Sequence, residues 1–330
     1  MKGTNSMFDI IIIGSGPAGL SAAIYAKRAN LNVAVAEKEY EGTGQIAESG
    51  NVNNYLGLQN INGYDLGEKF REHAVSLDVE FIEKEAVQIE AVQNGEKEES
   101  AIYRVKFDDD TIAEARALIY TAGAYPRKAG VPGEAEYTGK GVSYCAICDG
   151  AFYKGKTAAV LGGGDTALDD ALYLSDICEK VYLVHRRDSF RGAQSTVELL
   201  KQKENVELVL NEAVTEIYGE KKPTGIKLKS GRTLAVDGVF VAYGSVPQSE
   251  LIKNLVQLDE RGYVVAGEDG ITYATKNGDH DRRVQPGLYV AGDVRTKTLR
   301  QVVTAVSDGA NAATTAAEYL RDINGYKQNI

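Results

Sequence analysis

The chain has 330 residues, of which 43% are hydrophobic and 25% charged, and its 37 basic and 47 acidic side chains give a formal net charge of −10. This composition excludes a chain that is disordered as a whole, and the acidic balance disfavours general binding to nucleic acid. Glycine supplies 35 residues without a Gly-X-Y period, which excludes collagen and indicates tight turns or backbone that approaches a ligand closely.

At roughly 150 residues per domain, the length predicts about two domains. The polar start, residues 1–7, lacks the basic and apolar regions of a signal peptide, and no apolar run reaches the ~18 residues of a membrane helix. We therefore expect a cytoplasmic protein without a membrane partner. Three cysteines in a reducing compartment are too few for a disulfide framework.

The first strong signal is a strand, a glycine-rich loop and a helix in direct succession. A buried strand is predicted over Phe8–Ile13, a helix over Pro17–Asn30 and a second strand over Asn32–Glu37. The loop matches G-x-G-x-x-G, whose glycines permit a tight turn, the approach of a pyrophosphate and close helix packing. Glu37 lies 23 positions after Gly14, where an acid suits a ribose diol. The candidate cofactor residues here are Gly14, Ser15, Gly16, Pro17, Ala18, Gly19, Glu37 and Lys38.

The same order of elements recurs later in the chain. A stretch rich in Glu and Lys, Glu83–Arg104, comes first; its apolar residues at every second position predict a hairpin or small meander. A strand, a helix and a strand are then predicted over Thr157–Leu161, Asp165–Leu174 and Lys180–His185. The glycine loop of this copy begins 148 positions after that of the first, a period far too long for a solenoid. We interpret the two copies as a duplicated dinucleotide-binding unit.

The second glycine loop, which matches G-x-G-x-x-A, differs from the first in its charged neighbours. His185 stands where the first copy has Glu37, and arginines follow it. An acid would repel a 2′-phosphate, whereas arginines bind one through charge-assisted, often bidentate hydrogen bonds. The second site therefore favours NADPH, with a solvated surface cluster of arginines as the alternative. Its candidate residues are Gly162, Gly163, Gly164, Asp165, Thr166, His185, Arg186, Arg187 and Arg191.

A Cys-x-x-Cys pair, Cys145 and Cys148, lies between the two copies and is followed directly by Asp149. Such a pair forms and exchanges a disulfide through a short loop. Zinc would need four ligands, and neither Cys178 nor the three histidines make a second paired cluster. We therefore predict a redox pair and no metal, with Asp149 as its proton donor and acceptor. Cys178, at a helix end, is expected to be a structural core thiol.

The C-terminal part contains a third group of candidates. Its polar stretch Gly267–Pro286, with the turn signal Asn277-Gly278-Asp279, predicts a surface hairpin. A strand then ends in Gly292-Asp293, which presents a carboxylate to a hydroxyl group. The Ala-rich helix predicted over Val303–Leu320 can direct its N-terminus at an electron-rich ring. Acids such as Asp308 interrupt this segment, so we predict a packed helix rather than a membrane span.

Together these motifs resemble those of the low-molecular-weight, NADPH-dependent thioredoxin reductases of bacteria, over nearly the whole chain. The resemblance implies a homodimeric flavoprotein in which the first glycine loop and Gly292-Asp293 hold FAD and the arginine cluster holds NADPH. It also implies that Cys145 attacks the disulfide of thioredoxin, that Cys148 faces the flavin and that Asp149 is the acid–base residue. The further candidate residues for cofactor binding are Gly44, Gln45, Asn54, Gly123, Arg300, Gln301 and Val302.

Spacing adds a prediction about domains to this resemblance. We expect an α/β fold of two dinucleotide-binding, Rossmann-like domains with parallel sheets, the second inserted into the first. The FAD-binding domain would comprise residues 1–125 and 251–330, and the NADPH-binding domain with the cysteine pair residues 126–250. Since disulfide and nicotinamide both need the flavin ring yet share a domain, a rotation about Ala124–Arg127 and Gly244–Glu250 would let them take turns.

Some positions depart from the pattern of the resembling family. Thr43 stands where a second glycine is common, Tyr55-Leu56 replaces Trp-Pro, and Thr121-Ala122-Gly123 replaces Ala-Thr-Gly. A ferredoxin-dependent relative is disfavoured because the NADPH motifs are present. A reductase of a low-molecular-weight thiol or of a peroxidase partner stays open, as does a non-catalytic flavoprotein redox sensor, which thioredoxin turnover would distinguish from the enzymes.

Overall fold

A computed structural model describes residues 7–49, 52–93, 101–275 and 283–323 of the chain. The chain divides into two compact units. Unit 1 comprises the described residues of Met1–Asn51, Tyr55–Tyr125 and Pro247–Ile330, and unit 2 comprises Val52–Asn54 and Pro126–Val246. The predicted turn Asn277-Gly278-Asp279 lies outside the described residues, and so does the centre of the hairpin predicted over residues 83–104.

Strands of two to nine residues supply the sheets of both units. In the described part of the chain they are β1 Phe8–Ile13, β2 Val33–Ala36, β3 Glu80–Ile82, β4 Ala86–Gln93, β5 Ala101–Phe107, β6 Ile112–Tyr120, β7 Ala124–Pro126, β8 Val142–Ser143, β9 Thr157–Leu161, β10 Lys180–Val184, β11 Val206–Val209, β12 Val214–Gly219, β13 Pro223–Leu228, β14 Thr233–Ala235, β15 Gly238–Val241, β16 Ser245–Pro247, β17 Ile271–Tyr273 and β18 Val284–Val290.

Helices flank these strands, and short 3-10 turns lie at Gly44–Glu48, Gly150–Tyr153, Glu250–Ile252 and Gly292–Val294. The helices in the described residues are α1 Pro17–Arg28, α2 Gly63–Val75, α3 Glu134–Tyr137, α4 Ala146–Asp149, α5 Asp165–Ser175, α6 Gln194–Lys201 and α7 Val302–Ile323. None of these helices has both the length and the apolar composition needed to cross a bilayer.

Unit 1 is built on an eight-stranded sheet in the order β17-β18-β6-β1-β2-β3, with β5 also paired to β6 and β4 to β5. The pairs from β18 to β3 are parallel, and the β4–β5–β6 meander is antiparallel, as the alternation in the sequence predicted. Both faces of β1 are buried: Ile10 and Ile12 pack with α1 and α7, and Ile11 and Ile13 with the opposite core. Burial on both faces explains the unbroken apolar run of this strand.

Unit 2 repeats the plan with a five-stranded parallel sheet, β11-β10-β9-β15-β8. Helices α5 and α6 cover one face, and the antiparallel sheet β12-β13-β14 packs on the other. A two-stranded pair, β7 with β16, forms where the chain passes between the units. The predicted α/β fold with two Rossmann-like domains is confirmed, with sheets that are mainly parallel and antiparallel strands at the margins of the unit 1 sheet.

Helices α1 and α7 pack closely because small residues meet at their crossing. A Cβ atom on Gly309 would lie 2.0 Å from Ala18 O, so only glycine fits at this position of α7. Ser21 Oγ donates to Val306 O at 2.7 Å and joins the helices beside that contact. The crossing therefore holds the beginning of α1 against the first half of α7.

Replacement of Gly309 by valine should destabilise unit 1. Its side chain would collide with helix backbone, which cannot move aside as a flexible side chain does, and overpacking of this kind costs about 1–3 kcal/mol. Ser307→Val, an exposed position on the same helix, is the matched control and should change stability by less than about 0.5 kcal/mol. Thermal unfolding midpoints measure both effects, and equal midpoints for the two variants would contradict the assigned contact.

Candidate functional site

The first glycine loop connects β1 to α1, and its shape requires glycine at two positions. Gly14 has a φ of +101°, and a Cβ atom there would lie 2.9 Å from Thr121 O. A Cβ atom on Gly19 would lie 1.9 Å from Gly14 O. At Gly16, by contrast, the nearest atom to the Cβ position is 4.0 Å away, so a ligand can approach the backbone. α1 then begins at Pro17 without a side-chain cap, which leaves first-turn amides for an anion.

Ser15 and Glu37 tie this loop to the end of β2. Ser15 N donates to Glu37 Oε2 at 3.0 Å, and Ser15 Oγ lies 2.8 Å from the same oxygen and 2.6 Å from Gly42 O. Glu37 is half-buried, and Lys38 beside it is exposed. A carboxylate has about four lone-pair sites, so Glu37 retains acceptor capacity for a ribose hydroxyl. The bond to Ser15 is a structural role that the spacing argument did not predict.

The turn at the end of β18 lies against the start of α1. Gly292 has a φ of +79°, and a Cβ atom on it would lie 2.9 Å from Ala18 Cβ. Asp293 Oδ1 is buried, and within the described residues it has no hydrogen-bond partner. Burial raises the pKa of the Asp293 carboxyl, against the lowering effect of Lys297 and Arg300. An unpaired buried acceptor beside a glycine cradle fits a ligand that brings hydroxyl donors, as FAD does.

Four further candidate residues for cofactor binding were predicted between the first glycine loop and the cysteine pair, namely Gly44, Gln45, Asn54 and Gly123. A Cβ atom on Gly44, whose φ is +74°, would lie 2.8 Å from Gly16 Cα, so the structure brings these two glycines together. Gln45 Nε2 donates at 2.9 Å to the carbonyl of the residue after Gly123, which itself has a φ of +72°. Asn54 is exposed and belongs to unit 2.

The guanidinium of Arg300, a predicted cofactor residue, binds the backbone of its own loop. It lies 4.1 Å from the ring centroid of Tyr263. Its three nitrogens donate to the carbonyl oxygens of Asp293, Arg295 and Lys297 at 3.1–3.3 Å. Gln301 N donates to Thr304 Oγ1 at 3.1 Å, and α7 begins at the next residue, Val302. Arg300 therefore shapes the turn that carries the Asp293 carboxylate.

The second glycine loop connects β9 to α5 in unit 2. A Cβ atom on Gly163 would lie 2.2 Å from the ring of His185. A Cβ atom on Gly162 would lie 2.6 Å from the carbonyl oxygen of Ala242, the residue directly after β15. Gly164 has open space at its Cβ position and precedes α5 without a side-chain cap. Thr166, in the first turn of α5, is exposed. The free amides here repeat the anion site of the first loop.

The arginine-bearing loop after β10 is joined to this second glycine loop at two points. Arg191 N donates to Gly163 O at 2.8 Å, and Ala193 N donates to Asp165 Oδ1 at 2.8 Å. Asp165 thus anchors the arginine loop. Three exposed arginines of this loop form no ion pair with any described residue, namely Arg186, Arg187 and Arg191. Unpaired guanidinium groups beside free helix amides fit a phosphorylated ribose.

His185 lies beneath that loop with its ring buried. The ring stacks on Phe190 at 5.4 Å between centroids and 24° between planes. Burial lowers the pKa of His185, as do the charges of the neighbouring arginines, so the imidazole is neutral at pH 7. Its Nε2 atom is buried and lacks a hydrogen-bond partner in the described part of the chain. Each of the two glycine-loop sites therefore has one unpaired buried polar atom nearby.

Cys145 and Cys148 form a disulfide, with Cα atoms 5.3 Å apart, at the start of α4. Cys145 precedes the helix in extended conformation, and its Sγ accepts from Cys148 N at 3.1 Å. Both cysteines are half-buried, and Ile147 between them is exposed. The predicted pair is therefore joined and partly accessible to a second molecule.

Asp149 lies beside the disulfide and is linked to it through Ser143. Ser143 Oγ donates to Asp149 Oδ2 at 2.6 Å and accepts from Cys145 N at 3.1 Å. Burial raises the pKa of Asp149, and the hydrogen bond from Ser143 opposes this rise only in part. A raised carboxyl pKa is what the predicted proton-transfer role requires.

Cys178 differs from the disulfide cysteines in its burial and its reactivity. It is 5% exposed and packs in the core between the parallel sheet of unit 2 and its helices. Burial raises its pKa to about 11, so the group is a thiol at neutral pH. The expectation of a structural core thiol is confirmed.

Some residues that shape these sites were missed by the sequence reasoning. Ser143 connects acid and disulfide, but a serine two residues before a cysteine gives no signal by itself. Asp308, on α7, accepts hydrogen bonds at the Gly292 turn. Its signal was an acid within an Ala-rich helix, which had been interpreted only as evidence against a membrane span.

Comparison with known proteins assigns this arrangement to a family. The family model described as pyridine nucleotide-disulphide oxidoreductase matches residues 8–309. A thioredoxin reductase of Listeria monocytogenes is 38% identical over 98% of this chain and 97% of its own length. A thioredoxin reductase of Bacillus subtilis is 39% identical over 96% of each chain.

Solved structures agree with the sequence relatives. The crystal structure of thioredoxin reductase from Streptococcus pyogenes superimposes with a TM-score of 0.87 at 36% identity, covering 97% of this chain and all of that one. The thioredoxin reductase of Giardia duodenalis gives a TM-score of 0.82 at 33% identity, with 95% and 99% covered. By sequence, fold and redox disulfide, the chain belongs to the pyridine nucleotide-disulphide oxidoreductases and, among them, to the thioredoxin reductase family.

Proposed function

We propose that this protein reduces the disulfide of thioredoxin with electrons from NADPH. As a member of its family, the chain is a flavoprotein disulfide reductase that uses FAD and NADPH. The observation that carries the proposal is the Cys145–Cys148 disulfide, which is partly exposed and linked through Ser143 to the half-buried acid Asp149. The name shared by the relatives supports thioredoxin as the partner.

In this proposal, unit 1 is the FAD-binding domain. The open backbone at Gly16 and the free amides of α1 would hold the pyrophosphate, and Glu37 and Asp293 would accept hydrogen bonds from hydroxyl groups. When bound, FAD supplies two-electron transfer between nicotinamide and disulfide. The other residues proposed to shape this site are Gly14, Ser15, Pro17, Ala18, Gly19, Lys38, Gly44, Gln45, Gly123, Gly292, Arg300, Gln301 and Val302.

Unit 2 is the proposed NADPH-binding domain. The amides at Gly164 and the start of α5 would hold the pyrophosphate, and Arg186, Arg187 and Arg191 would bind the 2′-phosphate. The unpaired Nε2 of His185 and the anchoring bond of Asp165 support this use of the loop. Gly162, Gly163 and Thr166 complete the proposed set.

The dithiol of Cys145 and Cys148 is the proposed relay to the partner. The Cys145 thiolate attacks the partner disulfide, forms a mixed disulfide and displaces one partner sulfur as a thiolate. Cys148 then attacks Cys145 Sγ, which restores the internal disulfide and releases the second partner sulfur. Asp149 is proposed to accept and return the protons that these thiols exchange, a role supported by its raised pKa, because burial disfavours the charged carboxylate.

A rotation between the units is proposed to connect the two half-reactions, which are the transfer of electrons from NADPH to FAD and their transfer from FAD to the disulfide. The proposed NADPH residues and the disulfide share unit 2, whereas the proposed FAD residues, Asn54 apart, lie in unit 1. The chain passes between the units at Tyr125–Pro126 and Val246–Pro247. Gly244, with a φ of +82°, lies beside the second crossing and supports a hinge there.

We also propose that the protein is a cytoplasmic homodimer. The dimer rests on the resemblance to bacterial thioredoxin reductases. The cytoplasm supplies NADPH and keeps an isolated thiol such as Cys178 reduced. The net charge of −10 disfavours nucleic acid as a partner.

Two measurements test the proposed function: the FAD content of the purified protein and the rate of NADPH oxidation with thioredoxin. Purified protein should contain FAD, and anaerobic NADPH should bleach its visible absorbance. Oxidised thioredoxin should then support continuous NADPH oxidation, whereas a small disulfide such as oxidised glutathione should not. A protein that takes up no flavin, or that oxidises NADPH equally with and without thioredoxin, would contradict the proposal.

Cofactor preference tests the arginine loop. Charge-assisted hydrogen bonds are each worth about 1.5–3 kcal/mol, so kcat/KM should favour NADPH over NADH at least ~10-fold. Arg186→Ala combined with Arg191→Ala should narrow that ratio. Arg232→Ala, an exposed arginine of the same unit that pairs with Glu207, should leave it unchanged. Equal kcat/KM for both cofactors in the unaltered protein would refute the assignment.

The roles of the two sulfurs can be separated by replacement. Cys145→Ser and Cys148→Ser should both retain bleaching of the flavin by NADPH and lose thioredoxin turnover. Cys148→Ser should accumulate a mixed disulfide with thioredoxin, because the resolving thiol is missing. Cys178→Ala is the control and should keep both activities.

A non-reducing gel of each variant with oxidised thioredoxin measures these adducts. A lasting adduct with Cys145→Ser instead of Cys148→Ser would reverse the two roles. Thioredoxin turnover by both serine variants would show that the pair is not the relay.

A further inference from the structure

Three charged side chains are buried together beside the Gly292-Asp293 turn. Arg295 and Lys297 follow the turn along the chain, and Asp308 comes from α7; their side chains are only 5–6% exposed. Arg295 binds Asp308 twice, through Nη2 to Oδ1 at 2.6 Å and through Nε to Oδ2 at 2.9 Å. Lys297 Nζ donates to Asp308 Oδ2 at 2.7 Å. Such pairing offsets the hydration that each buried charge loses.

Asp308 also holds the backbone of the turn. Its Oδ2 accepts from Gly292 N at 3.1 Å, which fixes the peptide directly before Asp293. Arg295 adds a second restraint, since its Nη1 donates to Thr296 O at 2.9 Å. The turn is thereby joined to the first half of α7 through one carboxylate.

Lys297 acts on Asp293 through charge. Its Nζ atom lies 3.9 Å from Asp293 Oδ1, the buried acceptor that has no hydrogen-bond partner among the described residues. Burial raises the pKa of Asp293, and Lys297 is the strongest of the groups that lower it. The charged groups that face Asp293 are Lys297, Arg300, Asp308 and Arg295. Cations outnumber anions among them, so the cluster favours the ionised carboxylate.

We infer that Lys297 and Asp308 are positioning residues of the FAD site. Asp308 fixes the turn, and Lys297 keeps the Asp293 carboxylate charged so that it accepts a hydrogen bond from a hydroxyl group of FAD. The inference rests on the proposed use of unit 1 for FAD. It assigns a role to two residues that belong to neither glycine loop, and it explains why a lysine is buried at this edge of the sheet.

The test is the affinity for FAD, measured as flavin released when the purified holoprotein is diluted at several pH values. Lys297→Met removes the charge and keeps the apolar stem. It should raise the Kd for FAD at least ~10-fold, because a hydrogen bond to a charged acceptor is weakened. The Kd should rise further as the pH falls, since protonation of Asp293 removes the charged acceptor. Lys297→Arg should restore tight, pH-independent binding.

Two further variants separate this role from general damage. Asp293→Asn combined with Lys297→Met should bind FAD weakly at every pH, because the titrating group is gone. Lys106→Met, at a partly exposed lysine paired with Asp110 on the same unit, is the matched control and should bind FAD like the unaltered protein. Thermal unfolding with saturating FAD checks that each variant is folded.

Binding of FAD by Lys297→Met with the affinity and pH response of the unaltered protein would overturn the inference. So would a pH response that survives in the double variant. An unaltered protein that binds no FAD would instead refute the proposed function itself, so the two failures are distinguishable.

Discussion

The close approach of α1 and α7 is the contact on which the candidate FAD site depends. Gly309 meets the backbone of α1 at Ala18, and Gly292 meets the side chain of the same residue. Ala18 lies in the first turn of α1, directly after the glycine loop. Two segments almost three hundred residues apart in sequence therefore converge on one alanine, and the site has its shape because these residues are small.

The two glycine loops share a backbone arrangement but have neighbours of opposite charge. In both, a helix begins without a side-chain cap beside a glycine whose Cβ position is open, which suits a pyrophosphate. The acid Glu37 borders the first loop, whereas exposed arginines and a neutral, buried His185 border the second. The redox disulfide lies on the unit with the arginines, next to an acid whose burial favours proton exchange.

The fold was largely predictable because its signals are local. The apolar run of β1 and the glycines of both loops reflect steric demands within a few residues, so the predicted strand Phe8–Ile13 agrees with the structure at both ends. Contacts between distant segments had no such signal. Residue spacing does not encode how the chain folds back on itself. For this reason it did not predict that Ser15 donates to Glu37, that Arg300 binds backbone carbonyls or that Asp308 is buried. Asn54, which the resemblance implied as a cofactor residue, belongs to unit 2, and its role stays a prediction.

The hydrogen bond that Arg191 N donates to Gly163 O joins the second glycine loop to the arginine loop, so a shift of one loop displaces the other. Asp165 reinforces this by holding Ala193, and Gly163 leaves room for the ring of His185. Transplanting only the arginine segment from a relative with another coenzyme preference would therefore disturb the proposed pyrophosphate site as well. For the proposed NADPH site, the consequence is that residues 162–193 form one module, to be exchanged as a whole or changed one exposed side chain at a time.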